Sequence, residues 1–354
     1  MFTFVEVLAD LGAAGFSLRR AWPRTDGHLL LDLDDLEPGE ECAGESDRGD
    51  SGSRVAGQWF ADADIARKVA GATEGARRRG RVVLQPAGGD RRLGGLPALL
   101  RRPDSRLVAH RPERRAVVAL DGGARFAKLV PRLRLGRLHH AAHRANQLPI
   151  RTPRVLSDGL EDALVTEALP GTPLSELLSG PRAAEALHAV GAALAQLHRC
   201  PALAGSTVHG PRDEVAVTTR WEDSARAYGL PVGVPEDSIP SATPDLRVIH
   251  RDLHDGQILL AAGPDGGFHP AGVGLLDFDL IAAGDPALDL ANLIEHLLLR
   301  ERQGSLADAR SAVGALLDGY HPDQDVLGRV IPYRALTARR LAALCGFRPL
   351  NLAT

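Results

Sequence analysis

The spacing of apolar positions divides the chain into three stretches. In residues 1–36 a run with helical spacing, FVEVLADLG, precedes a strand-like HLLLDLDDL. Glu37 to Arg54 is acidic and rich in Gly and Ser, with too few apolar side chains to offset chain entropy, which predicts a mobile surface loop. A helix is expected from Gln58 to about Arg79, then a strand at RVVLQP, an ordinary turn at GGDRRLGG and the apolar segment LPALLRR. Residues 1–104 are therefore expected to form an appended N-terminal subdomain.

From Ser105 the pattern changes to short strands: RLVAHRP, RAVVALDGG and RFAKLV, with the DGG at 121–123 as the hairpin turn between the last two. A helix follows over about Leu133 to Gln147. Two more strands, around TPRVLSDG and DALVTEALPG, are joined by a turn at Ser157-Asp158-Gly159. Beyond Pro173 the chain becomes helical. Leu187, Val190, Leu194 and Leu197 recur at helical spacing, and ANLIEHLLLRER and ARSAVGALLDGY continue the pattern. The prediction is an α+β protein with a β-rich lobe at 105–169 and an α-helical lobe at 170–354.

Composition narrows the function. With Lys+Arg 42 against Asp+Glu 45 the net charge is -3, so no global basic field exists to hold nucleic acid or an anionic membrane surface. Aromatics at 4% leave few stacking platforms for single strands. Cys42, Cys200 and Cys345 are widely spaced and form no metal or disulfide pattern, which points to a reducing, cytoplasmic setting. The first twenty residues lack the basic flank of an export signal, and no apolar run is long enough to span a bilayer. Lysine occurs only at Lys68 and Lys128; arginine is used everywhere else.

The chemistry concentrates in VIHRDLHDGQILL (248–260) and GLLDFDLI (274–281). In each, a carboxylate stands where an apolar strand-like run ends, so Asp252, with Gln257 five residues on, and Asp277 can converge on one cleft. Phosphoryl transfer needs that set: one carboxylate to orient and deprotonate a hydroxyl, and oxygen ligands for Mg²⁺ on the nucleotide phosphates. His139, His140 and His143 have no accompanying acid and read as polar helix surface. No GxSxG hydrolase element occurs.

These stretches resemble the aminoglycoside phosphotransferase and choline kinase superfamily, which shares its fold with protein kinases. The family's H-G-D-x-H-x-x-N, I-D-[WF]-[ED] and G-D-P-x-x-D-[LIV]-A segments correspond to His250-Arg251-Asp252-Leu253-His254-Asp255-Gly256-Gln257, Leu276-Asp277-Phe278-Asp279 and Gly284-Asp285-Pro286-Ala287-Leu288-Asp289-Leu290-Ala291. The resemblance covers about residues 105–345. It implies a bilobal kinase-like fold with Asp252 as catalytic base, His250 bracing its loop, Asp277 and Gln257 as Mg²⁺ ligands and Lys128 on the nucleotide phosphates. Thr166, Glu167 and Ala168 resemble the hinge that reads the base of ATP, with GTP left open. Asp285 and Pro286 suit a helix N-terminus. Asp279, Asp289 and Glu295 are candidates for acceptor binding, and with Glu222 and Asp223 they would suit a cationic acceptor.

The expected activity is transfer of the γ-phosphate of ATP to a hydroxyl of an amino sugar, sugar, amino alcohol or natural product. Two departures favour an alternative, a degenerate kinase fold serving as a binding or scaffold protein. Gln257 stands where the family usually has Asn, and GRLHHAAHRANQ (136–147) contains no acid to orient Lys128.

Overall fold

The computed structural model describes residues 2–25, 27–35, 54–157, 160–233 and 239–348. Of the predicted loop at 37–54, residues 37–53 lie outside the described residues, as do Cys42 and the Asp158-Gly159 turn, and Arg54 already begins a strand. No helix among the described residues is long and apolar enough to cross a membrane.

The chain opens with helix α1 (Phe4–Ala13), started by a capping box between Thr3 and Glu6. Strands β1 (Phe16–Thr25), β2 (His28–Asp35) and β3 (Arg54–Phe60), helix α2 (Ala63–Gly71) and strands β4 (Arg77–Arg79) and β5 (Val82–Gln85) follow. The strands form one antiparallel sheet in the order β1-β2-β3-β5-β4. The single helix expected over Gln58–Arg79 is thus replaced by strand, helix and strand. Trp59 and Phe60 are buried in β3 between two partners, and Asp62 starts the helix only afterwards by accepting from the amides of Asp64 and Ile65. Strand β1 has no expectation behind it; its basic residues and Pro23 hide it, and it occupies the sheet edge, where proline is tolerated.

Helix α3 (Leu96–Leu100) leads into β6 (Arg106–Arg111), β7 (Arg115–Leu120), β8 (Arg125–Leu129), helix α4 (Arg132–Ala145), β9 (Val155–Leu156) and β10 (Ala163–Glu167). Their sheet order is β6-β7-β8-β10-β9, the predicted three strands, one helix and two strands. The β7–β8 turn needs left-handed backbone at Gly122 (φ 65°) and Gly123 (φ 98°), which explains the glycine pair.

The helical lobe contains β11 (Thr172–Pro173), α5 (Leu174–Leu177), α6 (Ala183–His198), β12 (Val208–His209), α7 (Pro211–Ala227), β13 (Arg247–Ile249), β14 (Ile258–Ala262), β15 (Phe268–Leu275), β16 (Ala282–Gly284), α8 (Pro286–Arg302), α9 (Ala309–Tyr320) and α10 (Gln324–Cys345). Its core is the apolar faces of α6, α8, α9 and α10. Helices α6 and α9 touch backbone to backbone at Gly191 and Gly319; a Cβ at either would lie 2.0 Å from a carbonyl oxygen of the other helix. The architecture is α+β and bilobal, as the pattern predicts.

The first sheet is more than an appendage. Its apolar core includes Ala225, Tyr228 and Leu230 at the end of α7, and Ala343 and Phe347 at the end of α10. The Phe4 amide donates to Tyr228 O (2.8 Å) and the Ala21 amide to Phe347 O (2.9 Å). Leu93, Leu96 and Leu99 belong to the other side, covering the second sheet against Ala116, Val118 and Ala127. Because Phe347 is fully buried where these elements meet, Phe347→Ala is expected to cost about 3 kcal/mol in urea unfolding. A loss below about 1 kcal/mol would contradict this coupling of the first sheet to the helical lobe.

Candidate active site

Two loops lie side by side at the junction of the lobes. One runs from β13 to β14 and carries residues 250–257; the other leaves β15 and carries 276–281. They are joined because β14 pairs with β15 (Ile258 opposite Leu275) and β13 with β16 (Val248 opposite Ala283). The Leu276 amide donates to Gln257 O (2.9 Å), and His250 Nε2–H donates to Leu276 O (2.8 Å). His250 is fully buried and its ring lies 4.6 Å from that of Phe278. It therefore braces both loops at once.

The two loops hold non-glycine residues in left-handed backbone beside or at the reactive positions: Arg251 (φ 73°), next to Asp252, and Asp277 itself (φ 61°). Such conformations persist where surrounding contacts over-determine them. For Arg251 those contacts come from α8. Asp289 accepts from the amides of His250 (2.6 Å) and Arg251 (2.7 Å), and Asn292 Nδ2 donates to Arg251 O (2.9 Å). His198 Nε2 lies 3.2 Å from Asp289. This corrects the acceptor-binding expectation for Asp289: it is fully buried, with both oxygens holding the loop. Burial raises its carboxyl, but the His198 hydrogen bond and the nearby charges outweigh that and hold it below the usual range.

Asp252 is half exposed at 49%, open to the cleft, with Arg340 Nη1 3.9 Å away. Across from it, Lys128 on β8 donates to Asp277 Oδ1 (2.7 Å) and Asp279 Oδ2 (2.6 Å), and Arg115 Nη1 reaches Asp277 Oδ2 (3.1 Å). The lysine thus finds its acidic partners on the second loop, which answers the absence of an acid on α4. Burial raises the Asp277 carboxyl, but Lys128 and Arg115 outweigh it and hold it well below the carboxylate range. Asp279 is pushed up by burial and by the Asp277 charge. Gln257 is buried, and its Oε1 has no hydrogen-bond partner. An orphaned amide oxygen on a loop bonded to the one bearing Asp277 is the hard-oxygen donor set that Mg²⁺ takes, so the residues fit that ion.

Other expected positions fall elsewhere. Thr166 lies in β10 opposite Phe126 and Val155. The amides of Glu167 and Ala168 donate to Arg154 O (3.0 Å) and Ala124 O (2.9 Å), and the Glu167 carboxylate pairs with Arg154. These two N–H groups are therefore engaged within the second sheet. Glu295 is buried against Arg334 (2.7 Å), Glu222 pairs with Arg339 (2.8 Å) and Asp223 with Arg226 (2.6 Å). Glu295 and Glu222 are buried in these pairs, whereas Asp223 stays exposed on α7. Asp285 caps α8, accepting from the Ala287 amide (3.0 Å).

Arg115 and Arg340 had no sequence signal, since neither lies near a motif. The turn between β6 and β7 holds a further surprise. Glu113 (φ 58°) is buried beside Arg91 (2.6 Å), Arg92 (3.4 Å) and Arg24 (3.6 Å), and its amide donates to Asp90 (2.7 Å). Asp90 belongs to GGDRRLGG, so that turn pins the edge of the second sheet to the first.

The model of the phosphotransferase enzyme family matches residues 105–326. Among solved structures, the chain is similar to an aminoglycoside phosphotransferase from Streptomyces rimosus (21% identity, 69% of this chain and 98% of that one, TM-score 0.49). It is also similar to a choline/ethanolamine kinase family protein from Mesorhizobium loti (15%, 74% and 85%, TM-score 0.45). A third is a macrolide 2'-phosphotransferase from Brachybacterium faecium (16%, 69% and 92%, TM-score 0.42). No curated protein matches the chain at a significant level.

Asp289→Asn is expected to lower stability by about 2 kcal/mol, because a buried charge-assisted acceptor of two amides is lost. Since the folded Asp289 carboxyl is held low, its contribution is present above about pH 4 and disappears as pH falls below it. Urea midpoints measured from pH 7 to pH 3 should therefore fall less steeply in the variant; parallel profiles would refute the assignment.

Proposed function

The chain belongs to the phosphotransferase enzyme family, and on that premise we propose that it moves the γ-phosphate of ATP to a hydroxyl group of a small molecule. The observation that carries the reading is the pair of mutually bonded loops, one bearing the accessible carboxylate Asp252 and the other the cation-bound carboxylates Asp277 and Asp279.

In this mechanism Asp252 accepts a hydrogen bond from the acceptor hydroxyl and takes its proton as the new O–P bond forms. The bond from the γ-phosphorus to the bridging oxygen breaks, and ADP leaves with that electron pair. Lys128 and Arg115 stand where charge on the phosphate oxygens needs neutralising. Asp277 and Gln257 would hold Mg²⁺, which supplies further charge neutralisation on the phosphates. His250 and Asp289 take no part in proton transfer; they keep Asp252 in place. Free thiols at Cys200 and Cys345 support a reducing, cytoplasmic compartment.

The test is transfer from γ-labelled ATP to a panel of hydroxylated sugars, sugar acids and amino alcohols. Asp252→Ala is expected to lower turnover by at least about 10²-fold and to leave MgATP affinity within about threefold. Unchanged turnover would remove Asp252 from the chemistry. MgATP binding without a phosphorylated product on any acceptor would favour the scaffold reading.

A further inference from the structure

The buried acids Glu222 and Glu295 are taken up in ion pairs, whereas a group of cations at the cleft is not. Arg20 lies on β1, Arg111 at the end of β6 and Arg348 just past α10. The hydrogen bond from the Ala21 amide to Phe347 O makes the first and third neighbours, because Arg20 and Arg348 directly flank it. Arg20 and Arg111 share one aromatic ring: their guanidinium carbons lie 4.9 and 4.8 Å from the centre of Trp22. The Nε atoms of Arg20, Arg111 and Arg348 are buried without a hydrogen-bond partner, and among the described residues no carboxylate forms an ion pair with any of the three.

Stacked guanidinium groups held together without counter-charge are unfavourable unless an anion joins them. Burial, and then repulsion from Arg348 and Arg115, pushes Arg20 down to about 10. Burial, and then Arg115, Arg114 and Arg20, pushes Arg111 down to about 9. Arg111 and Arg115 stand opposite each other at the end of the β6–β7 hairpin, and Arg115 Nη1 reaches Asp277 Oδ2 (3.1 Å), which sets the group at the rim of the same cleft. Lys128 is engaged with Asp277 and Asp279. Arg20, Trp22 and Arg348 all lie outside the segment 105–326 that the family model matches. The first sheet and the end of α10 therefore add a cationic wall that this segment does not contain.

We propose that the acceptor is anionic: a hydroxylated sugar or polyol bearing a phosphate or carboxylate, whose negative group is bound by Arg20, Arg111 and Arg348 while its hydroxyl meets Asp252. This rests on the reading of Asp252 as the base. Guanidinium groups suit either anion, since their planar donors pair bidentately with both.

The test is calorimetric titration of the full chain, with and without Mg·AMP-PNP, using ribose 5-phosphate and gluconate as anionic probes and ribose and glucosamine as neutral and cationic ones. At least one anionic probe is expected to bind at least about tenfold tighter than ribose or glucosamine, and more weakly as salt is raised. Arg20→Gln combined with Arg348→Gln should weaken that binding by about tenfold or more, with Mg·AMP-PNP affinity within about threefold. Arg111→Gln, on a separate element, should act in the same direction, and a urea midpoint close to wild type certifies folding. Tighter binding of glucosamine, or anion affinity unchanged in folded variants, would overturn the proposal. So would a loss confined to Mg·AMP-PNP, which would give the arginines to the nucleotide phosphates. Failure of the wild type to bind Mg·AMP-PNP would overturn the kinase reading, while the nucleotide-free titration would still decide the anion site.

Discussion

Everything in the cleft is arranged around Asp277, a carboxylate kept charged between Lys128 and Arg115. A buried carboxylate is costly unless paired, and here a single loop residue joins a lysine from β8 and an arginine from β7. In the absence of other charges the lysine and the two acids Asp277 and Asp279 satisfy one another. On the proposed function, a divalent cation would take the carboxylates and the nucleotide phosphates would take the lysine. Gln257 Oε1, buried and without a hydrogen-bond partner, is the further hard oxygen that the proposed ion would take from the neighbouring loop.

Holding Asp277 there requires that two loops stay in register, and the brace for this is buried far from solvent. His250 ties one loop to the other through Leu276 O, and Asp289 ties the base of that loop to α8 through two amides. The left-handed conformations at Arg251 and Asp277 are maintained by this framework rather than by glycine. Asp252 is left accessible because its neighbours, not its own carboxylate, carry the hydrogen bonds that fix the loop.

The loops of the candidate site were legible where their residues are contiguous. Asp252, Gln257 and Asp277 sit in short segments with strong apolar runs beside them, and the second sheet announced itself through alternating residues and the DGG turn. Burial and pairing were not legible. Asp289 reads like any helix-face acid until α6 and the loop 250–257 close over it, and nothing in the sequence shows that Arg154 and Ala124 take the amides of Glu167 and Ala168. The stretch 58–79 misled because Ala66 and Val69 carry helical spacing, yet the helix begins only after Asp62. Arg20, Arg115 and Arg340 come from three distant segments, so no local pattern could bring them together. The two-lysine composition was the one hint, since in so arginine-rich a chain Lys128 marks a place where a compact charge is used.

The most direct test of the account is MgATP binding by calorimetry on the wild type and on Asp277→Ala, each with and without EDTA. The account predicts metal-dependent binding in the wild type, weakened at least about tenfold by EDTA, and binding in the variant on which EDTA has no effect because the carboxylate that holds the ion is gone. Equal, metal-dependent binding in both proteins would place the ion elsewhere and contradict the claim that Asp277 organises the cleft.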